Sequence, residues 1–315
     1  MTLAGRDLIT VDDLSDDEVR ALLDRARHYA GSGRRPVTRD TLAGQVVATL
    51  FFEPSTRTRL SFEAAAHRLG ADVIGFADAG ATSTKKGETL EDTLRTVAAY
   101  ADLIVVRHPE AGSAHRAAQA TIPEDVPVVN AGDGHGSHPT QSLLDLYTLQ
   151  AERGRLSDNH VVLLGDLKYG RTVHSLAVLL ARFGNRLTFV APRGLEMPAE
   201  ILAQCREHGS EPHQTTRLDD VIADADVLYV TRVQRERFDD PQDHARLVGS
   251  YVVDRALLEK AKEDVTILHP LPRVGEIPFE VDDHPGAAYF RQVANGVPVR
   301  MAVLASILDA PTPQD

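Results

Sequence analysis

Apolar residues along this chain fall in short runs at fairly even intervals, and each run gives way to a polar stretch with helical spacing. The runs at 46–52, 72–76, 103–106, 126–129, 161–164, 187–190, 227–231, 251–253 and 265–268 are the length of strands and rich in Val, Ile and Leu, as strands buried on both faces are. Between them the spacing predicts helices. One opens at Leu14-Ser15-Asp16-Asp17-Glu18-Val19, a capping box with Ser15 as cap and Glu18 reaching back, and runs to about residue 31. Leu60, Phe62, Ala65, Ala66 and Leu69 mark another helix. Further helices are read at 89–100, at 140–153 with Pro139 suited to its first turn, and at 172–183, 198–208 and 218–223. A last one at 299–308 has Met301, Val303, Leu304 and Ile307 to bury. Strands alternating with helices predict an α/β chain of two doubly wound parallel-sheet domains. Residues 77–87, polar and rich in Gly, Ser and Thr, read as a loop. The stretch 153–158 reads as a junction, giving domains at 1–150 and 151–290, with a final helix within 291–315 packing back onto the first.

Composition narrows this picture. A chain of 315 residues, 43% apolar, fits about two ordinary cores. The net charge of −12 argues against a nucleic-acid partner, which needs a basic face, and means that an anionic ligand must be held by local arginines against the overall field. The only cysteine, Cys205, rules out an intrachain disulfide and a thiolate metal cluster and suits a reducing compartment. Residues 1–14 lack the basic and apolar segments of a signal peptide, and no apolar run approaches the ~20 residues of a membrane span, so the expected location is the cytoplasm, with no membrane contact.

In open parallel sheets, ligands lie beyond the carboxyl ends of the strands. Here those ends are 55–58, 107–108, 130–138, 166–171, 231–232 and 269–273, and each carries suggestive chemistry. Pro54 ends the first strand, and Ser55-Thr56-Arg57-Thr58-Arg59 then opens a helix. Hydroxyls, free N–H groups and guanidinium groups at one helix N-terminus make an anion site suited to phosphate, although Ser and Thr there also serve as plain caps. Arg107 ends a strand and His138 opens a helix; alone, each would read as a surface or capping residue. The run 165–172 has Leu167 where a dinucleotide fingerprint needs glycine. The run 231–237 would otherwise pass as a solvated, charged loop. Two prolines stiffen His269-Pro270-Leu271-Pro272-Arg273, in which His269 reads as structural.

Three of these motifs carry a family resemblance: Ser-Thr-Arg-Thr-Arg followed by Ser-Phe-Glu, the run Gly-Asp-Leu-Lys-Tyr-Gly-Arg-Thr-Val-His-Ser, and the His-Pro-Leu-Pro turn. Over about 11–308 the chain resembles the aspartate and ornithine carbamoyltransferases. The resemblance implies two α/β domains with the active site in the cleft between them, and transfer of the carbamoyl group of carbamoyl phosphate to the amine of L-aspartate, giving N-carbamoyl-L-aspartate and phosphate in pyrimidine synthesis. It assigns carbamoyl phosphate to Ser55, Thr56, Arg57 and Thr58, with Arg107, His138 and Thr58 as donors to the developing oxyanion and Gln141 accepting from the carbamoyl NH2. It gives the α-carboxylate of aspartate to Arg171, with Thr172 beside it, and the side-chain carboxylate to Arg232 assisted by Gln234. Carbonyls of Pro270 and Leu271 meet the amine and the carbamoyl nitrogen, and the bond before Pro272 is commonly cis. Ser83 and Lys86 would enter a neighbouring subunit's site in a homotrimer; Lys86 is chosen over Lys85 by its distance to Gly87-Glu88. No metal or organic cofactor is implied, and a separate regulatory chain is left open. The ornithine-using branch is the alternative, but it shows a Cys where this chain has Pro270, and two arginines favour a dianionic amino acid. A non-catalytic homologue with the same fold is the other reading.

Overall fold

The computed structural model describes residues 3–31, 40–78, 80, 86–233 and 251–310. They form two compact units, Met1–Leu144 with Ala294–Asp315 and Asp145–Val293. The division falls within helix α5, Pro139–Arg153, ahead of the 153–158 stretch.

The first unit is built on a parallel sheet of β1 (Val46–Phe51), β2 (Asp72–Phe76), β3 (Leu103–His108) and β4 (Val128–Asp133), in the order β2-β1-β3-β4. Its helices are α1 (Asp16–Gly31), α2 (Thr56–Leu69), α3 (Leu90–Ala98) and α4 (Ser113–Thr121). The capping box at α1 forms: the Glu18 N–H donates to Ser15 Oγ at 3.3 Å, and the Ser15 N–H donates to Glu18 Oε2 at 2.8 Å. Ala48, Leu50, Ile104, Val106 and Val128 pack with Leu94, Ala98 and Ala117 into one buried cluster. This central sheet needs no alternation, because helices rather than water meet its interior strands.

The second unit has β5 (His160–Leu164), β6 (Arg186–Val190), β7 (His213–Thr215), β8 (Val227–Val230) and β9 (Thr266–Leu268), all parallel, in the order β7-β6-β5-β8-β9. Helices α6 (Arg171–Arg182) and α7 (Ala199–Glu207) follow β5 and β6. Val162, Leu164, Val190, Leu228, Val230 and Ile267 share a core with Leu258, Val281 and Tyr289.

The structure corrects several element assignments. The run 251–253 is not a strand; it is tied to the fold by a bond from the Val253 N–H to the Glu276 carbonyl at 2.9 Å. The stretch 218–223 is two 3-10 turns, Leu218–Asp220 and Ile222–Asp224. Helix α2 begins at Thr56 with Ser55 in the expected N-cap position, whereas β4 begins later than expected and reaches Asp133. The last helix spans Tyr289–Ile307 and so starts well before Val299; it carries Pro298 in its interior at the cost of one backbone hydrogen bond. Among the described residues no helix is long and apolar enough to cross a membrane.

Candidate active site

Each sheet has one place where the chain reverses its direction of travel across the strands. In the first unit this is between β1 and β3, since β1 leads to β2 on one side and β3 to β4 on the other. Loops leaving adjacent strands there diverge and open a crevice. Phe51 pairs with Arg107, and the Phe52 N–H donates to the Arg107 carbonyl at 2.8 Å, which carries Arg107 to the start of the 53–58 turn. Ser55 holds the N-cap position of α2 (φ −155°, ψ 111°), but its hydroxyl makes no cap hydrogen bond. The first turns of α1 and α3 are acidic, which suits the positive helix end; the first turn of α2 has no acid and offers Thr56, Arg57 and Thr58. Thr56 and Arg57 are exposed and Thr58 is buried, with its Oγ1 3.4 Å from His138 Nε2.

Arg107 and His138 are each fixed from behind. The Arg107 guanidinium lies 2.8 Å from Glu53 Oε2 and donates to the Ala131 carbonyl at 3.3 Å. The His138 carbonyl accepts from the N–H groups of Gln141 (3.0 Å) and Ser142 (3.3 Å), closing the first turn of α5 and leaving the buried ring facing Thr58. The turn that delivers His138 is organised by buried Asp133: Oδ1 accepts from the Ser137 N–H at 2.7 Å and Asn130 Nδ2 at 3.2 Å, and Oδ2 accepts from the Gly112 N–H at 2.9 Å. Burial holds the neighbouring His108 below its ordinary pKa against the pull of Glu110, which favours the neutral ring.

In the second unit the reversal lies between β5 and β8. Thr231, just past β8, donates its N–H to the Leu164 carbonyl at 2.8 Å, so Arg232 leaves the sheet beside the 165–171 turn. That approach requires Gly165: its φ is +116°, and a Cβ there would lie 2.2 Å from the Thr231 carbonyl oxygen. Buried Asp166 accepts from the Tyr169 N–H at 3.0 Å and shapes the turn that presents Arg171 and Thr172 at the start of α6.

Beyond β9 the 269–273 turn is held by buried His269. The Leu271 N–H donates to His269 Nδ1 at 2.7 Å, so that nitrogen carries a lone pair and the ring proton sits on Nε2, 2.7 Å from Glu276 Oε1. Burial would raise the Glu276 pKa, but bonds from His269 and from the Glu276 and Val274 N–H groups outweigh it and hold the carboxyl below its ordinary value. Leu271 takes a positive φ of 56° ahead of a cis Leu271–Pro272 bond. Arg273 is committed to both carboxylate oxygens of Asp282 and lies over the Phe279 ring at 4.5 Å.

Ser55, Thr56, Arg57, Thr58, Arg107, His138 and Gln141 thus belong to the first unit, and Arg171, Thr172, Arg232, Pro270 and Leu271 to the second. Lys86 is exposed at the edge of a described stretch; Ser83, Lys85 and Gln234 lie outside the described residues. Sequence reasoning gave no role to Glu53, Asp133 or Asp166, or to the buried Asp145, Tyr229 and Gln292. A lone acid inside Leu143-Leu144-Asp145-Leu146-Tyr147 was a usable signal for Asp145.

Known proteins resemble both units in sequence and fold. Residues 6–151 match the carbamoyl-P binding domain of the aspartate/ornithine carbamoyltransferases, and residues 157–307 match their Asp/Orn binding domain. The aspartate carbamoyltransferase catalytic subunit of Thermococcus onnurineus is 52% identical over 308 residues, and that of Methanopyrus kandleri 53% over 312, each alignment covering 98% of both chains. The solved catalytic subunit of M. jannaschii aspartate transcarbamoylase superposes with a TM-score of 0.88 at 45% identity, covering 96% of this chain and 98% of that one. The Trypanosoma cruzi enzyme in complex with N-(phosphonacetyl)-L-aspartic acid gives 0.90 at 39% identity, covering 97% of each. With both halves matched and likeness extending over nearly its full length, the chain belongs to the aspartate/ornithine carbamoyltransferase family.

Proposed function

We propose that this chain transfers the carbamoyl group of carbamoyl phosphate to the α-amino group of L-aspartate, as an aspartate carbamoyltransferase of pyrimidine synthesis. The observation that carries the reading is the placement of cationic and donor groups at the switch point of each sheet: Arg57 and Arg107 in one unit, Arg171 and Arg232 in the other. In this proposal the N–H groups and hydroxyls of 55–58, with Arg57, hold the phosphate at the unopposed positive end of α2. Arg107, His138 and Thr58 donate to the carbonyl oxygen, and Gln141 accepts from the carbamoyl NH2. Arg171, with Thr172, takes the α-carboxylate and Arg232, with Gln234, the side-chain carboxylate. Carbonyls of Pro270 and Leu271 orient the amine. The amine nitrogen attacks the carbonyl carbon, the bond from that carbon to the phosphate oxygen breaks, and phosphate leaves with the electron pair and takes the amine proton. Catalysis is then chiefly orientation and charge stabilisation.

We further infer that the chain works in the cytoplasm as a homotrimer in which Ser83 and Lys86 act on a neighbouring site. Exposed Leu60, Ile74 and Tyr100 of the first unit suit a surface that a neighbour covers. Steady-state assays with carbamoyl phosphate and either L-aspartate or L-ornithine test the reading. The expected result is N-carbamoyl-L-aspartate with phosphate in equal amount; faster turnover of ornithine overturns it.

A further inference from the structure

Within the second unit, one buried chain of hydrogen bonds joins the two segments assigned above to aspartate. It begins at Thr172 in the first turn of α6, whose side chain is bonded to the Tyr229 oxygen. The Tyr229 hydroxyl donates to Asp145 Oδ2 at 2.7 Å. Gln292 Nε2 donates to the other oxygen, Asp145 Oδ1, at 2.6 Å. Gln292 Oε1 then accepts from the His269 N–H at 2.8 Å, and His269 Nδ1 accepts from the Leu271 N–H at 2.7 Å. Asp145, Tyr229, Gln292 and His269 are each no more than 1% exposed.

The direction of these bonds fixes what Asp145 does. A carboxylate can only accept, and here it receives a proton donor on each oxygen. Its demand on Gln292 sets which way that amide points, and only that orientation turns Oε1 toward the His269 N–H. Its demand on Tyr229 sends the one phenolic proton to Asp145 and leaves the phenol oxygen as the acceptor for Thr172. A single buried charge therefore sets both the hydroxyl beside Arg171 and the backbone that precedes the Leu271 carbonyl. We propose that Asp145 is a positioning residue for aspartate, holding the start of α6 and the 269–271 turn in one register through Tyr229 and Gln292. The inference rests on the aspartate carbamoyltransferase reading and names a group that touches neither substrate.

Asp145→Asn is nearly isosteric, but one of its two terminal atoms becomes a donor. That donor must then face either Tyr229 or a flipped Gln292, and a flipped Gln292 turns its NH2 against the His269 N–H. The double variant Asp145→Asn/Gln292→Glu restores every acceptor. The oxygen of the new amide at position 145 takes the Tyr229 proton, and its NH2 donates to one oxygen of the new carboxylate at position 292. The other oxygen of that carboxylate takes the His269 N–H. The wild-type enzyme is assayed first with both amino acids; failure to use aspartate removes the functional reading and this inference with it. If aspartate turns over, the variants judge the inference alone. Asp145→Asn is expected to raise KM for aspartate about ten- to hundredfold, the cost of one misdirected bond to a charged group, with a smaller fall in kcat. Calorimetric affinity for carbamoyl phosphate should stay within about twofold, and hydrogen exchange at the Leu271 amide should quicken. The double variant should recover most of the KM and of the protection. An unchanged KM in folded Asp145→Asn overturns the proposal, as does a folded double variant no better than the single one. If Asp145→Asn does not fold, Tyr229→Phe, which removes only the hydroxyl, is decisive: a raised aspartate KM supports the proposal and an unchanged one ends it.

Discussion

Single residues in the core of this chain act mostly through the groups that face them. Glu276 is such a case, since its carboxyl accepts from the buried His269 ring and is held below the ordinary 4.5. A carboxyl whose folded pKa lies below its unfolded value adds stability at higher pH, and that stability is lost as pH falls through the folded value. Glu276→Gln keeps an acceptor for His269 but does not titrate. Thermal midpoints followed downward from about pH 5 should therefore fall less steeply in Glu276→Gln than in wild type; parallel curves would remove Glu276 from the acid response. Arg107 at a strand end and His138 at a helix start stood out as candidates by position, but only the family resemblance gave them roles. The ion pair of Arg107 with Glu53 was not legible, since a sequence does not say which carboxylate meets a guanidinium. Asp145 was visible as an acid in an apolar run, but its partners Tyr229 and Gln292 stand 84 and 147 positions away.

Elements were legible where burial is uniform and obscure where it is not. β1, β5 and β6 showed as apolar runs because helices or neighbouring strands cover them. β7, His213-Gln214-Thr215, lies at the sheet edge with two exposed residues and has no apolar signature. α4 is built largely from alanine, so its buried stripe of Ala114, Ala117 and Thr121 gave no pattern strong enough to find. Conversely, 251–253 has strand-forming residues yet, among the described residues, no strand pairs with it to complete a ladder. The turn from β5 to α6 has a demanding geometry at Gly165. Gly165→Ala would combine a left-handed φ with a Cβ 2.2 Å from the Thr231 oxygen, and both belong to backbone that has little room to yield. The expected loss is on the order of 2 kcal/mol or more, read as a lower denaturant midpoint with an unchanged m-value. The segments bearing Arg171 and Arg232 should separate with it, so aspartate affinity should fall while carbamoyl phosphate binding persists. A variant as stable as wild type would show that this turn relaxes freely.

At the scale of the whole molecule, an acidic chain with a net charge of −12 is proposed to gather two anionic substrates, which only local clusters of arginine can offset. Each unit supplies such a cluster at its own switch point, and the proposed trimer adds a third contribution from exposed Lys86. Arg57 and Lys86 then serve a site from two different chains, which has a numerical consequence. Chains carrying Arg57→Ala and chains carrying Lys86→Ala should each assemble and be nearly inactive. When equal amounts are dissociated and reassembled, a site is whole only if its own chain retains Arg57 and the contributing neighbour retains Lys86. Each condition holds for half of the chains, so random cyclic trimers should regain about one quarter of wild-type activity. The aspartate KM of that fraction should equal the wild-type value, because the surviving sites contain every native group. Mixed trimers that assemble with no recovery would mean that Arg57 and Lys86 serve the same chain's site, and the sharing of sites would have to be abandoned even if the reaction itself stands.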